Sequence, residues 1–257
     1  MNEVGFKIEN ITPQNVEHQT LFCAKSPKDA AFQNKQVWFT KRYQEGLRMK
    51  LLKSDAGRAI GFIEYIPAEY AWRPVEAPGF LFIHCLYLYG KQNKGRGGGS
   101  LLVQSCETDA RKANMNGVCV MTSRGPWITD GRLFEKCGFS LVDERGRFQL
   151  HAKKLKGGAP DPRLRNWEER QAAYQGWHLL YADQCPWHEK SVNAIRGISE
   201  AQGINMQVSK IKTSKQAQNA PSGFGVFSLL KDGILLEDHY ISATRFRNIL
   251  DNEMKAS

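Results

Sequence analysis

From Gln92 the chain reads Gln92-Asn-Lys-Gly95-Arg-Gly97, followed by Gly98, Gly99 and Ser100. Glycines let backbone N–H groups turn inward, and a helix starting behind them adds unpaired donors and a positive dipole end. Lys91, Lys94 and Arg96 bring three cations to the same bend. A strand, a basic glycine-rich bend and a helix start together make a cradle for a phosphate or pyrophosphate. A P-loop is excluded, because no Lys-Ser or Lys-Thr follows these glycines. A dinucleotide fingerprint is excluded as well. Gly95-Arg-Gly97-Gly-Gly-Ser100 ends in serine where the third glycine belongs, and no strand-borne acid follows about 20 residues on.

Other side chains could carry reactions. His84 interrupts an apolar run, and its ordinary pKa of about 6.5 suits a general base. A hydrogen-bonded core histidine is the alternative. Glu64 is a second base candidate or a surface residue on a half-buried strand, and Glu69 a third. Tyr87 and Tyr89 could donate a proton or simply pack. Cys85 and Cys137 read as small buried hydrophobes. Cys185 stands at a helix start, where a thiol is made reactive at neutral pH. His188 replaces the second cysteine of a C-x-x-C pair, so no local disulfide can close. Cys185 could form mixed disulfides, bind a soft metal or capture a thiol-bearing substrate; alternatively its domain serves packing or dimerisation. No metal site is expected.

The elements that must position these residues follow from pattern. Gly5–Ile11 alternates as a first strand, and Thr12-Pro13 caps a helix to about Phe22. Lys28–Glu45 is a second helix. Leu47–Lys53 and Ala59–Ile66 form a hairpin, and Glu69–Gly79 is a loop that walls the substrate site or covers a sheet edge. Phe80 to Tyr89 is the buried strand, in which alternation places His84 on the face of Leu86 and Leu88. Ser100–Asn114 is a helix and Gly117–Thr122 a strand. A helix after Gly131 ends at Gly138 as its C-cap, and Phe139–Val142 with Arg147–Lys153 close as a hairpin. Residues 156–164 read as a Gly/Pro-rich linker, and Trp167–Tyr174 as a docking helix. The last part alternates strand and helix from Trp177, with Ala220-Pro221 before its third strand.

The β-α-α-β-β-β-α-β-α-β-β order of residues 1–156, the loop Gln92–Gly97 and the segment Leu133-Phe-Glu-Lys-Cys-Gly-Phe139 resemble the GNAT acetyltransferase superfamily. That resemblance implies a mixed sheet with flanking helices, an α/β (α+β) fold. It implies acetyl-CoA as cofactor and an amine of a small molecule or peptide as acceptor. The pyrophosphate would lie on Gln92, Asn93, Lys94, Gly95, Arg96, Gly97 and Gly98, and the pantetheine on the backbone of Leu86 and Leu88. Phe134 would stand on the helix at the thiol end, where many members carry a tyrosine acid; a tyrosine acid there is excluded. Acyl transfer needs a polarised carbonyl, a neutral amine and a proton for the departing thiol. His84, Glu64 and Cys185 are the catalytic candidates. The second part resembles a thioredoxin-like domain, which implies a cis Pro221, and the pairing of the two resembles proteins with a YoaP-like C-terminal domain. The expected division is 1–156 acyltransferase, 157–175 linker and docking helix, and 176–257 thioredoxin-like.

Bulk properties set the limits. The 257 residues are 41% hydrophobic with net charge +10, as in a soluble globular chain. Residues 1–158 hold 24 Lys and Arg against 15 Asp and Glu, and the remainder 12 against 11. A basic first part suits a polyanionic cofactor. No recognition helix, zinc finger or RNP-like motif argues for nucleic acid. No apolar run reaches a membrane span and no signal peptide opens the chain. Six scattered cysteines without C-x-x-C favour a reducing cytoplasm. A homodimer is compatible with all of this.

Overall fold

The computed structural model describes residues 5–19 and 28–256. The chain forms two compact units. One takes in the first strand, Gln36–Ala71 and Val75–Leu164; the other takes in residues 28–35, Trp72–Pro74 and Arg165 onward.

Along the chain to Leu164 run β1 (Phe6–Ile11), α1 (Ala30–Tyr43), β2 (Arg48–Ser54), β3 (Ala59–Pro67), β4 (Val75–Glu76) and β5 (Phe80–Leu88). There follow α2 (Gly98–Lys112), β6 (Gly117–Ser123), α3 (Arg132–Lys136), β7 (Ser140–Arg145), β8 (Phe148–Lys154) and β9 (Arg163–Leu164). Seven strands form a sheet in the order β1-β2-β3-β5-β6-β8-β7, and β4 pairs with β9. Only β5 and β6 run parallel, a connection that needs a crossover, and α2 supplies it. Leu102, Val103, Cys106 and Ala110 recur at helical spacing on α2 and pack on Leu81, Ile83, Val118 and Val120 of the sheet.

Two departures from regular pairing shape this sheet. The β5–β6 ladder runs only from Phe80–Gly117 to Ile83–Val120. Beyond it β5 stays bonded to β3 as far as Leu88, and β6 to β8 as far as Ser123, so the two strands part. The second departure is a bulge. Glu64 pairs with Cys85 and Tyr65 with Ile83, so His84 is one residue too many. The bulge overturns the expected alternation. Leu81 and Ile83, then Leu86 and Leu88, side with the α2 core. His84 lies on the opposite face, its ring against those of Phe82 and Trp38.

Elsewhere the expected elements mostly form. α3 ends in a Schellman motif: Gly138, at φ +84°, donates to Glu135 O and Phe139 donates to Phe134 O. The helix expected after Thr12 does not begin there. Asn15 Oδ1 accepts from Thr12 N–H at 2.8 Å, a local turn that competes with helix, and a single 3-10 turn follows at Val16–His18. Residues 20–22 of that expected helix fall outside the described residues. The segment expected as loop at 69–79 contains a 3-10 turn, Ala68–Tyr70, and the short β4.

The second unit holds β10 (Trp177–Tyr181), α4 (Trp187–Ala201), β11 (Met206–Lys210), α5 (Ser214–Gln218), β12 (Phe227–Lys231), β13 (Ile234–Glu237) and α6 (Ala243–Ala256). Its sheet has the order β11-β10-β12-β13, with β10 parallel to β11 and the other pairs antiparallel. Phe246, Ile249 and Leu250 bury the inner face of α6, and Trp177 meets Phe246 edge to face. No described peptide bond is cis, so Pro221, expected to be cis, is trans.

Candidate functional site

The glycine-rich bend lies at the end of β5 remote from its ladder with β6. A 3-10 turn at Lys91–Asn93 leads into it, tied back by the Asn93 side chain to Tyr89 O. Gly95 and Gly97 both have left-handed backbone, at φ +76° and +84°, and nothing lies within 4 Å of where a Cβ would sit on either. Gln92, Lys94, Gly95, Arg96 and Gly97 are exposed. Gly97 is the N-cap of α2 and carries no side chain to cap it, so the first-turn amides are left to an outside acceptor. Gly98 and Gly99 serve a different purpose. A Cβ on Gly98 would stand 2.7 Å from Leu52 Cδ2, and one on Gly99 3.1 Å from Leu133 Cδ2. Two glycines give the bend its shape, and two let the helix start press onto the core. Sequence reasoning took Gly95, Gly97 and Gly98 for the pyrophosphate; the tight approach of Leu52 to Gly98 sets it apart from the other two.

The parted strands lie directly behind this bend. Leu86 and Leu88 point their side chains at the core, and among the described residues the edge of β5 that faces β6 carries no strand pairing from Cys85 to Leu88. The residues fit an extended chain with a diphosphate at one end, such as CoA. The backbone edge can hydrogen-bond along the chain, and the bend leaves room and charge for the diphosphate. Phe134 is fully enclosed in the core, its ring 5.6 Å from that of Phe139. It holds α3 in place rather than offering its ring to solvent.

On the other face, Nδ1 of His84 lies 3.5 Å from Oε1 of Glu64, with both side chains essentially inaccessible. That separation is ion-pair range, and no hydrogen bond between the two fixes the tautomer of the ring. The bulge is the reason the two meet. Glu64 is opposite Cys85 on the paired strand, and the extra residue brings the imidazole to the carboxylate's side. Glu69 is engaged elsewhere, accepting from the Gly79 N–H at 2.7 Å. Tyr87 is 44% exposed on the His84 side of the sheet, its ring in contact with those of Phe62 and Tyr89.

Sequence reasoning missed a second chain of polar groups. Thr122 Oγ1 lies 3.2 Å from Nδ1 of the buried His151, whose Nε2 lies 3.5 Å from Glu135 Oε1. The position of His151 in the strand Phe148-Gln-Leu-His was the available signal. Cys106 and Cys119 are inert, since burial pushes both thiols well up. Among the described residues no cluster of three or more His, Cys, Asp or Glu could hold a metal ion. None of the described helices is long and apolar enough to cross a membrane. Cys185 belongs to the second unit, half-buried just ahead of α4.

No family model matches the chain. It is 32% identical over 247 residues to YoaP of Bacillus subtilis (strain 168), an uncharacterized N-acetyltransferase, covering 94% of this chain and 97% of the relative. Among solved structures, PaiA N-acetyltransferase of Thermoplasma acidophilum, in complex with coenzyme A, is 16% identical. The match covers 59% of this chain and 99% of that one, with a TM-score of 0.42. YncA of Salmonella typhimurium, solved with acetyl-CoA, is 14% identical over 61% of this chain and 98% of its own, also with a TM-score of 0.42.

Proposed function

The chain belongs to the YoaP family of GNAT-type N-acetyltransferases, and from that premise we propose that its first unit moves an acetyl group from acetyl-CoA to the amine of a small molecule or peptide. One observation carries the assignment: strands β5 and β6 part after Ile83 and Val120, beside an exposed glycine bend at the start of a fifteen-residue helix. Acetyl-CoA supplies the thioester acetyl group. The amides from Gly95 to Ser100, with Lys91, Lys94 and Arg96, hold the diphosphate. The backbone of Leu86 and Leu88, on the edge of β5 turned away from β3, would hold the pantetheine. Gln92 and Asn93 shape the bend, and Phe134 backs α3 from within the core.

The attacking amine must lose a proton to become nucleophilic. The enclosed pair His84 and Glu64 is the candidate for the group that receives that proton, and a positioned base is worth about 10²–10⁴ in rate. Phe134 has no proton to give the departing thiolate, so the proton lost by the amine is the one that balances the thiol. We further infer that residues 176–257, the greater part of the second unit, form a thioredoxin-like domain, after an acyltransferase part at 1–156 and a connecting stretch at 157–175. Its strand order β11-β10-β12-β13 and helix α4 between β10 and β11 support this.

Titrating acetyl-CoA while following thermal unfolding tests the site. Ligand at 100 times Kd should add about 2.7 kcal/mol. Gly95→Glu and Gly97→Glu place like charge and a side chain where the diphosphate lies, and should remove that gain. A gain that survives both substitutions overturns the site. A panel of amines with detection of released CoA then identifies the acceptor.

A further inference from the structure

The first unit has a recess away from the glycine bend, where the pattern of its sheet changes. On β1, Phe6 and Ile8 turn toward the α2 core, and on β2 Leu52 does the same. Alternation gives that face Asn10 next on β1, and Lys50 and Arg48 next on β2, with Asn10 opposite Lys50 in the ladder. The apolar stripe therefore ends in polar residues. α2 changes at the same level: Cys106 and Ala110 stay in the core, whereas the Asp109 side chain is 32% exposed. The result is a pocket of about 220 Å³, and Asn10, Thr12, Tyr43, Arg48, Met49 and Asp109 line it. All six belong to the first unit.

Two opposite charges share this pocket without pairing with each other. The Arg48 guanidinium lies 4.4 Å over the Tyr43 ring, and its Nη1 donates to Tyr43 O at 3.1 Å and Leu47 O at 2.9 Å. Those contacts fix the group in place. Its Nε and Nη2 form the edge by which arginine grips a carboxylate at two points, and they donate to none of the described residues. Asp109 is held in a similar way. Its Oδ2 meets the Lys50 ammonium at 2.9 Å and accepts from the Tyr65 hydroxyl, and Lys50 Nζ also donates to Ser105 O at 3.0 Å. Asp109 Oδ1 accepts from none of the described residues.

The spare capacity is thus a two-donor cationic edge and one anionic acceptor, each already oriented by other bonds. A metal ion does not suit it, because the one carboxylate is neutralised by Lys50 and Arg48 stands by. A simple anion would use Arg48 alone, and a simple amine Asp109 alone. The volume is below the roughly 300–1,000 Å³ of drug-sized sites, so the ligand is small. We propose that this pocket binds a small α-amino acid as its zwitterion, with the carboxylate on Nε and Nη2 of Arg48 and the ammonium donating to Oδ1 of Asp109. Asp109 stands eleven residues along α2 from Gly98, about 16 Å at the rise of an α-helix. The site is therefore separate from the glycine bend, and it stands whether or not that bend holds acetyl-CoA.

Calorimetric titration of the full chain tests this with L-alanine, which carries both groups, and with L-lactate and ethylamine, which each lack one. L-Alanine should bind with a Kd of about 1 mM or tighter, within what so few atoms can supply. L-Lactate and ethylamine should each bind at least roughly tenfold more weakly, a difference of about 1.4 kcal/mol. Arg48→Met should weaken L-alanine by a similar factor. Arg48→Lys keeps the charge without the two-point grip and should fall between. Asp109→Asn should erase the preference for L-alanine over L-lactate. Because Asp109 also holds Lys50 and Tyr65, the ranking of the three probes on the unaltered protein decides the matter should that variant fail to fold. No L-alanine binding up to roughly 10 mM, equal binding of the three probes, full affinity in Arg48→Met, or displacement of L-alanine by acetyl-CoA would overturn the proposal.

Discussion

α2 and α4 both follow a strand, both run for fifteen residues, and neither has a side chain capping its first turn. α5 differs: Thr213 and Gln216 close a full capping box on a helix of five residues. An uncapped start leaves amides available to something from outside, and its surroundings then decide what that can be. At α2 the approach is exposed, glycine-shaped and lined by mobile-length cations, which suits a solvated diphosphate. At α4 it is half-buried among aromatic rings, with a thiol, a neutral imidazole and two enclosed cations. The same backbone device thus meets two different chemistries.

The largest effect that would break this contrast concerns catalysis in the first unit. His84→Gln should lower kcat by about 10²–10⁴, the ordinary contribution of a positioned base, with acetyl-CoA affinity unchanged. Steady-state rates with a binding titration check this, and unaltered kcat would remove His84 from the reaction. Next comes packing at the α2 start. Gly98→Val should cost about 1–3 kcal/mol, because the new side chain meets Leu52. A denaturation series measures it, and no loss would show that α2 can move away.

The second unit should respond to acid. His188 has its pKa driven down to about 3, whereas the unfolded chain binds a proton near the ordinary histidine value. Acid therefore favours the unfolded state, and stability falls as pH drops from about 6.5 towards 3, by up to about 1.4 kcal/mol per pH unit. His188→Gln should flatten that slope in unfolding curves recorded across the range; an unchanged slope would show that the ring is not enclosed in solution. Smallest is the cap. Thr213→Ala should cost about 1 kcal/mol and leave acetyl-CoA binding unmoved. An effect on that binding would mean that α5 is coupled to the glycine bend.

Much of the first unit was legible because its signals are local. A continuous apolar run marked β5, a hairpin pattern marked β2 and β3, the residues behind the glycines marked the start of α2, and Gly138 marked the end of α3. The glycine bend was legible as an open turn leading into a helix because glycines cluster within one short stretch, and the structure gives it exposed backbone and an uncapped helix start. The turn at Thr12 was misread, since Pro at a first helical position looks the same whether or not Asn15 folds back on Thr12. Trans Pro221 was missed because it had been inferred by resemblance, not from any residue beside it.

Composition and order alone determined that this chain has a basic, cofactor-suited first part and a different, charge-balanced second one. They also placed a thiol and an imidazole three residues apart at a helix start. Only the tertiary structure put His84 on the face of Glu64, because one extra residue in β5 reverses every side chain beyond it. Only the tertiary structure assigned Arg73 and Lys35 to the unit that contains Cys185, more than a hundred residues further along. Periodicity is set by neighbours in the chain, whereas a bulge's consequence and a buried charge's company are set by segments that meet only once folded.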